Sequence, residues 1–287
     1  MIKPLFIRLK KSVITKLLLL IGLFSFIWAW FIEPRTITIT HVDIPLSQWS
    51  HSEHEYSIVL IADTHSSTHS ADRSKLDRVV NEVQKIAPDR IFLLGDYVTG
   101  MLLHKEMPIK EISERLAPLV KVAETDAILG NHDDPHKEKL IEEFSSVGIH
   151  IMECQSKMVS KNGFPIQISG IPDLRRHSEI ALKSLPKRKQ QGAPHILLSH
   201  TPDILPHIQC EEIDLTVCGH THGGQVCLPG GIPIVTSSDI PRKNAYGKSD
   251  IGGSFLVVTR GLGMTGLPIR LFCPPEIMVL HLKAADK

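Results

Sequence analysis

The sequence has little cysteine, and what it has is poorly arranged for cross-links or for zinc. Five cysteines are spread over 287 residues, and no two of them form a C-x-x-C pair. An odd number at these spacings argues against a disulfide framework and against a thiolate zinc site. We therefore expect buried or half-buried structural thiols at Cys154, Cys210, Cys218, Cys227 and Cys273.

The sequence also lacks an excess of either charge. Its 32 Lys and Arg nearly balance 31 Asp and Glu, so the net charge is +1. This balance gives no electrostatic basis for binding nucleic acid. Histidine, in contrast, is abundant with 16 copies, which favours metal or acid–base chemistry. The length and an apolar fraction of 42% are enough for one large α/β domain or two small ones.

Long apolar runs are missing except near the N-terminus, where residues 1–35 are expected to form a membrane anchor. Leu17 to Ile32 carries no charge, and a bilayer crossing needs about 20 such residues. A cleaved signal peptide is the alternative, but the apolar run continues into bulky residues instead of small ones, and the segment has no twin-arginine pair. An uncleaved helix is therefore favoured.

The side of the membrane that carries the rest of the chain stays open at this point. Basic residues precede the apolar run, at Lys3, Arg8, Lys10, Lys11 and Lys16. The positive-inside rule then places the following domain outside the cytoplasm. A helix lying in the interface, a monotopic arrangement, would instead leave the domain in the cytosol. Unpaired cysteines favour the reducing side.

Residues 36–287 are predicted to form one domain of alternating strands and helices. Short apolar runs that end in polar residues predict buried strands, and segments with apolar spacing of three or four predict helices. This alternation indicates an α/β fold. Hairpin-like sequence between Ile149 and Ile171 predicts that the sheet is mixed. Helices are expected around Leu76–Ile86, at residues 109–120 and at residues 136–148, and residues 187–194 are expected to be a solvated loop.

Polar side chains with metal-binding ability follow five successive predicted strands. Ligands of open α/β sheets bind beyond the carboxyl ends of the strands. Each of these residues alone is typical of a turn or a helix cap, but unrelated turns have no reason to supply complementary ligands one after another. The residues are Asp63 and His65, then Asp96, then Asn131, His132 and Asp133, then His200, and finally His220 and His222.

These motifs, "DTH", "GD", "GNHD", "SH" and "GHTH", resemble in order and approximate spacing those of the calcineurin-like metallophosphoesterases. The resemblance covers roughly residues 56–282 and implies a four-layer α/β/β/α sandwich of two mixed sheets. The C-terminal segment resembles the YkuE- and YaeI-like bacterial branch, which implies a bacterial inner (cytoplasmic) membrane location. One departure is "GDYVTG", since many members have an Asp near Thr99.

The resemblance implies two divalent transition metals and assigns the predicted ligands. Asp96 would bridge both ions, because a carboxylate can offer one oxygen to each. Asp63, His65 and His222 would bind the first metal, and Asn131, His200 and His220 the second. Imidazole and oxygen donors suit Mn, Fe or Zn, with Mn expected first. We expect His220 and His222 to point to one face because residues two apart in an extended segment do so, while Thr221 is structural.

The remaining polar residues have less definite roles. By resemblance, His132 faces the substrate and donates a proton to the leaving oxygen or stabilises phosphoryl charge. Asp133 either orients the ring of His132 or caps a helix. Arg260 either clamps a phosphate or forms a surface salt bridge, and Arg270 is a weaker candidate. His69 and His136 are expected at the surface, and no substrate-binding residue is assigned.

The expected function is that of a membrane-anchored phosphohydrolase acting on a phosphorylated small molecule or a lipid-linked nucleotide. The bacterial branch includes the chlamydial-type UDP-2,3-diacylglucosamine pyrophosphatase of lipid A synthesis, which is the first expectation. A broad phosphodiesterase, with the anchor serving only for location, is the alternative. Some relatives of this fold are metal-dependent scaffolds, but here every predicted ligand position is filled. The oligomeric state is left open.

Overall fold

The computed structural model describes residues 3–47, 55–101, 105–161 and 163–285. Met1 and Ile2 of the expected anchor lie outside these residues. Numbered in chain order, the helices are α1 (Lys3–Ile27), α2 (Ser70–Ile86), α3 (Ile109–Leu116), α4 (Lys137–Ser146) and α5 (Leu174–Lys183). The strands are β1 (Thr38–Leu46), β2 (Tyr56–Ile61), β3 (Arg90–Leu93), β4 (Gly100–Met101), β5 (Glu124–Ala127), β6 (His150–Ile151), β7 (Gln155–Lys161), β8 (Phe164–Gly170), β9 (His195–Leu198), β10 (Leu215–Cys218), β11 (Cys227–Leu228), β12 (Ile232–Pro233), β13 (Gly247–Ile251), β14 (Ser254–Val258), β15 (Thr265–Gly266) and β16 (Glu276–Ala284).

Two six-stranded sheets form the centre of the domain. The first has the order β1-β16-β2-β3-β5-β6, and the second has the order β13-β14-β10-β9-β8-β7. In the first sheet only β16 and β2 pair antiparallel. In the second, the antiparallel pairs are at the edges, β13 with β14 and β7 with β8. Both sheets are therefore mixed, as predicted.

The sheets pack face to face, and helices cover the outer face of the first sheet. Along β2, Ile58 and Leu60 belong to the core shared with the second sheet, whereas Val59 and Ile61 belong to the core beneath α2, α3 and α4. Side chains alternate between the faces of a strand, so a strand buried on both sides is apolar throughout. With α5 and the turn Pro202–His207 on the second sheet, the layers are α/β/β/α, as expected from the resemblance.

Three local expectations need correction. The helix predicted at residues 109–120 ends at Leu116 and continues as a 3₁₀ turn over Ala117–Lys121, which contains Pro118. Helix α5 was not predicted. Cys154 is exposed in a turn with φ of 55°, although Cys218, Cys227 and Cys273 are buried as expected.

The N-terminal helix projects from the domain and ends in contact with it. Val13–Arg35 is long and apolar enough to cross a membrane, and only 6% of its most apolar window is buried. Its last turns change character, with a π-helical segment at Trp28–Ile32 and a 3₁₀ turn at Glu33–Arg35. Glu33 is buried there and accepts hydrogen bonds from the Trp28 indole, at 2.7 Å, and from the backbone N–H of Cys273. The end of this helix is therefore docked against the domain.

Candidate metal centre

The predicted site residues meet at one edge of the two-sheet sandwich. From the first sheet, β2 leads to Asp63 and His65, β3 to Asp96, and β5 to Asn131 and His132; from the second, β9 leads to His200, and β10 to His220 and His222. All are buried except Asn131 and His132, which are half-buried. These strands run parallel within each sheet, so their carboxyl ends lie together.

The side chains form two groups that share one carboxylate. In the first group, the Nε2 atoms of His65 and His222 are 3.2 Å apart, and Asp63 Oδ1 lies 3.9 Å from His222 Nε2. In the second, His200 Nε2 is 3.3 Å from His220 Nδ1 and 3.3 Å from Asp96 Oδ2. The same Asp96 oxygen is 3.6 Å from His65 Nε2. Asp96 therefore lies between the two groups.

Backbone conformation explains how these residues converge. Five of the seven predicted ligands have positive φ, from 41° at His65 to 68° at His220; the others are Asp63, Asp96 and His222. Side-chain-bearing residues rarely adopt this region, and such strain concentrates at functional sites. The extended segment expected at the two histidines of "GHTH" is therefore wrong. The left-handed turns send His220 to the second group and His222 to the first, while Thr221 is structural and donates its hydroxyl to Ala245 O.

Glycines bring the backbone against the carboxylates. A Cβ on Gly130 would lie 2.2 Å from Asp96 Oδ1, and one on Gly219 would lie 2.5 Å from Asp63 Oδ2. Neither distance is possible between real atoms, so only glycine fits there. The motifs "GNHD" and "GHTH" therefore begin with glycine because a side chain there would collide with a predicted metal ligand.

Hydrogen bonds fix which ring nitrogens face the centre. His65 Nδ1 is 3.0 Å from Val98 O, and His200 Nδ1 is 2.7 Å from Leu94 O. A carbonyl can only accept, so each Nδ1 carries a proton and each Nε2 faces the cluster. Such hydrogen bonds are typical of metal-binding histidines. In addition, buried Asn131 Oδ1 and His222 Nδ1 have no hydrogen-bond partner.

The electrostatics of the cluster suit cation binding. Burial lowers the pKa of His65 and of His220 to about 4, so both rings are neutral at pH 7. Burial raises the pKa of Asp63 to about 7. For Asp96, burial raises the pKa, but the charge and hydrogen bond of His200 outweigh burial and lower it. Burial lowers the pKa of His200, but the neighbouring carboxylates of Asp96 and Asp63 outweigh burial and raise it. Imidazoles and carboxylates in a low dielectric are the donor set that transition metals prefer, and a bound cation would replace the proton of His200.

Comparison with known proteins agrees with this geometry. Residues 56–224 match the family described as calcineurin-like phosphoesterase. The chain belongs to this family. It is 32% identical to the phosphodiesterase YaeI of Escherichia coli, over 79% of this chain and 82% of YaeI. It is 30% identical to the uncharacterized metallophosphoesterase YkuE of Bacillus subtilis, over 90% of each chain. A Danio rerio protein, "Transmembrane protein with metallophosphoesterase domain", is 27% identical over 86% of this chain and 57% of its own.

Calcineurin-like phosphoesterases are metal-dependent hydrolases that use a dinuclear divalent metal centre. The residues of this metallophosphoesterase fit such a centre on two independent grounds. His and carboxylate side chains form three sets, and within each set the ligand atoms all lie within 4.8 Å of one another. Two of these sets share Asp96. The unpartnered Asn131 Oδ1, an amide oxygen without a hydrogen-bond donor, lines the same cavity as Asp96. A bound cation supplies the partner that this oxygen lacks.

Asp133 has neither of the roles that the sequence suggested for it. Its carboxylate accepts four backbone hydrogen bonds, from the N–H groups of Asp96, Tyr97, Val98 and Gly130, at 2.7 to 3.1 Å. It makes no side-chain cap to the turn that follows. Asp133 therefore joins the "GD" loop to the "GNHD" loop by hydrogen bonds and fixes the position of Asp96 relative to Asn131.

His132 lies beside the two ligand groups, and its ring forms the third set of close donor atoms together with His65 and Asp96. Its ring is edge-on to His65 with a centroid separation of 5.0 Å, and its backbone N–H donates to Asp96 Oδ1 at 2.8 Å. A Cβ on Gly100 would lie 2.4 Å from His132 Cε1, so the ring packs against that glycine. The ring lines a cavity of about 380 Å³ that is also lined by Asp96, Asn131, His220 and His222.

The same cavity is lined by two residues that sequence reasoning missed, Arg175 and Arg176 of α5. Arg175 Nη1 is 2.7 Å from His220 Nε2, and Arg176 Nε donates to Asn131 O at 3.2 Å. A signal was available: like the five motifs, the arginines follow the end of a buried strand, β8, and Asp173 before them caps the helix.

The other basic candidates are structural. Arg270 is fully buried and donates to the carbonyls of Arg260, Gly261, Gly263 and Cys273. Arg260 stacks on the ring of Tyr246 at 3.8 Å, so it is neither a phosphate clamp in the cavity nor a surface salt bridge. His69 accepts from Ala71 N at the start of α2, and His136 is 3.1 Å from Glu106.

Proposed function

We propose that this chain is a membrane-anchored dinuclear-metal phosphohydrolase that cleaves a phosphoanhydride or phosphodiester. The observation that carries the proposal is the position of Asp96. Its Oδ2 lies 3.6 Å from a nitrogen of one ligand group and 3.3 Å from a nitrogen of the other. A carboxylate shared in this way is what a pair of metals about 3.5–4 Å apart requires.

The assignment of ligands follows the two groups. Asp63, His65 and His222 would hold the first metal, Asn131, His200 and His220 would hold the second, and Asp96 would be shared by both. His65 and His200 bind through Nε2, since a carbonyl occupies each Nδ1. The bound metals supply an activated nucleophile and neutralise charge on the phosphoryl group. Mn is proposed first, with Fe and Zn as alternatives, because four of the seven donors are imidazoles.

The chain's own residues supply the remaining chemistry. His132 lines the cavity without belonging to the proposed ligands, so its ring is free to donate a proton to the leaving oxygen. The 2.8 Å hydrogen bond from its backbone N–H to Asp96 Oδ1 fixes the ring's position relative to the bridge. Asp133 holds the two loops that carry these residues, through four hydrogen bonds.

The docked N-terminal helix supports a substrate that resides in the membrane. The backbone N–H of Arg270 donates to Ala29 O at 3.0 Å, and the guanidinium of Arg78 donates to Arg35 O at 3.0 Å. Glu33 adds the hydrogen bonds described above. If the helix spans or lies in a bilayer, these contacts hold the domain close to the head groups. The Danio rerio relative is named a transmembrane protein, which favours an anchoring role. We propose the bacterial inner membrane as the location, single-pass or monotopic.

The first proposed substrate is UDP-2,3-diacylglucosamine, which would place the enzyme in lipid A biosynthesis. It combines a phosphoanhydride with acyl chains that keep it in the membrane. The second candidate is a broad phosphodiesterase activity with the anchor serving only for location, and the similarity to the phosphodiesterase YaeI favours it.

A substrate panel distinguishes these functions. Purified full-length protein with added Mn²⁺ is assayed on UDP-2,3-diacylglucosamine, a cyclic nucleotide and a bis-aryl phosphate, with Asp96→Ala as the background control. The proposal predicts turnover of the lipid-linked phosphoanhydride well above that of the other two. Preference for the bis-aryl phosphate or the cyclic nucleotide supports the second candidate. Equal rates for wild type and Asp96→Ala on every substrate would contradict both.

A further inference from the structure

Two consecutive arginines enter the metal-centre cavity from an element that carries none of the predicted ligands. Arg175 and Arg176 occupy the first turn of α5, and both side chains are exposed to solvent at the cavity. Their contacts are to the half of the site proposed for the second metal. Arg175 Nη1 reaches His220 Nε2, and Arg176 Nε reaches the carbonyl of Asn131.

Metal binding at His220 changes the hydrogen bonding of Arg175. His220 Nδ1 faces His200 within the cluster, and His220 Nε2 lies 3.0 Å from Ser237 O as well as 2.7 Å from Arg175 Nη1. A neutral imidazole has one proton, so a ring that binds metal through Nδ1 carries its proton on Nε2. That N–H donates to the Ser237 carbonyl and cannot accept from an arginine. Arg175 Nη1 keeps the hydrogen bond that it donates to Ser237 O, which leaves the remaining N–H groups of this guanidinium for a ligand in the cavity.

Helix α5 is held against the loop that carries His132. Asp173 caps the helix by accepting from Arg176 N–H at 3.1 Å, and its other carboxylate oxygen is buried without a partner. His177 Nε2 lies 2.5 Å from Asp134 Oδ1, which joins the helix to the residues after the "GNHD" motif. The backbone at His177 departs from helical values, with φ of −132° and ψ of 45°. The arginines are therefore fixed near Asn131 and His132 without being part of the ligand strands.

We propose that Arg175 and Arg176 form a subsite for the second phosphate of a diphosphate substrate. Within the parts of the chain that the structure describes, neither guanidinium forms an ion pair with a carboxylate, although both are at the cavity. Planar guanidinium groups bind phosphate oxygens by paired, charge-assisted hydrogen bonds. One phosphate is sufficient to occupy a dinuclear centre, so an additional pair of cations fits a second anionic group. This proposal rests on the proposed phosphohydrolase function and specifies its substrate class.

Binding of small anions tests the subsite without any turnover. Mn²⁺-loaded full-length protein is titrated calorimetrically with methylenediphosphonate and, separately, with inorganic phosphate. Arg175→Ala/Arg176→Ala is expected to weaken methylenediphosphonate binding by about 100-fold and phosphate binding by less than about 10-fold. Lys183→Ala, which removes a positive charge farther along α5, is the matched control and should leave both affinities unchanged. The metal content of the recovered protein must be the same for all three.

The outcomes separate this subsite from the proposed function. Equal losses for the two ligands, or a double variant within about 3-fold of wild type for methylenediphosphonate, would overturn the subsite. A change in metal content in the double variant would also overturn it, because the arginines would then act on the metal ligands. If the wild type hydrolyses neither diphosphates nor diesters, the proposed function fails, whereas the binding contrast still reports on the arginines.

Discussion

The residues around the metal centre and the residues of helix α5 face the same cavity but are held in different ways. The predicted ligands lie on strained, buried turns at strand ends, and glycines such as Gly130 leave no space around them. The two arginines of α5 are solvent-exposed side chains on a short helix whose backbone is kinked at His177. The first arrangement is rigid and suits metal binding. The second leaves guanidinium groups accessible to solvent and suits recognition of a substrate that varies among relatives of the same fold.

The largest expected effect comes from removing the shared carboxylate. Asp96→Ala removes the carboxylate that lies between the two ligand groups and leaves buried imidazoles without a shared oxygen. We expect metal content and activity to fall together, with activity reaching the uncatalysed background. Elemental analysis and a rate assay on the same sample measure both. Full metal content in this variant would show that Asp96 is not the bridge.

His132→Ala is expected to separate chemistry from metal binding. Turnover should fall by about 10²–10⁴, the usual range for general acid catalysis, while both metals are retained. The loss should shrink for substrates with leaving groups of low pKa, because such groups need little protonation. A rate series for wild type and variant against leaving-group pKa tests this.

Two results of that series would contradict the role of His132. A loss that is constant across leaving groups would indicate stabilisation of phosphoryl charge instead of proton donation. Loss of metal, as in Asp96→Ala, would indicate that His132 is a ligand. The geometry permits this, because the His132 ring is 5.0 Å from the ring of His65.

A smaller effect is expected from Gly130→Ala, which changes no functional group. The added methyl would lie 2.2 Å from Asp96 Oδ1, so the bridge must move. Disturbance of groups that support metal ligands typically costs 10–100-fold in metal affinity, and we expect about that loss here, measured by metal titration. Gly22→Ala, where the methyl meets nothing within 4 Å, is the control. Unchanged metal affinity in Gly130→Ala would mean that the loops are not rigid.

The smallest effect concerns the N-terminal helix. A variant that begins at Thr36 loses the contacts of Glu33 and Ala29, and one that begins at Trp28 keeps them. We expect both to leave the membrane fraction and to hydrolyse water-soluble phosphodiesters. The longer variant should be more stable to urea by about 1–2 kcal/mol, the scale of one or two hydrogen bonds. Sedimentation of either variant with membranes would show that the anchor assignment is incomplete.

The difference between the strand-end ligands and helix α5 also explains what the sequence could and could not predict. The residues of "DTH", "GD", "GNHD" and "GHTH" were predictable because each follows an apolar strand that is recognisable on its own. Helix α5 was not predictable, because its apolar residues do not form a buried face. Ile180 is 53% exposed, and only Ala181 of this helix is buried. Arg175 and Arg176 follow the end of β8, but without a predicted helix the sequence does not show that they face the cavity.

Backbone conformation and long-range hydrogen bonds were also beyond the sequence. The positive φ values of His220 and His222 depend on the packing of Gly219 against Asp63, which no local pattern records. The role of Asp133 depends on N–H groups of a loop 35 to 37 residues away. No local pattern shows that the buried carboxylate of Glu33 accepts a hydrogen bond from the backbone N–H of Cys273, 240 residues away.

The central claim is a pair of metals joined by Asp96, and one combined measurement tests it most directly. Full-length protein is incubated with excess Mn²⁺, freed of unbound metal, and examined by elemental analysis and electron paramagnetic resonance. The account predicts about two equivalents of Mn per chain with an exchange-coupled spectrum, since bridged ions at about 3.5–4 Å interact magnetically. One equivalent or none, or two equivalents with the spectrum of isolated ions, would contradict it.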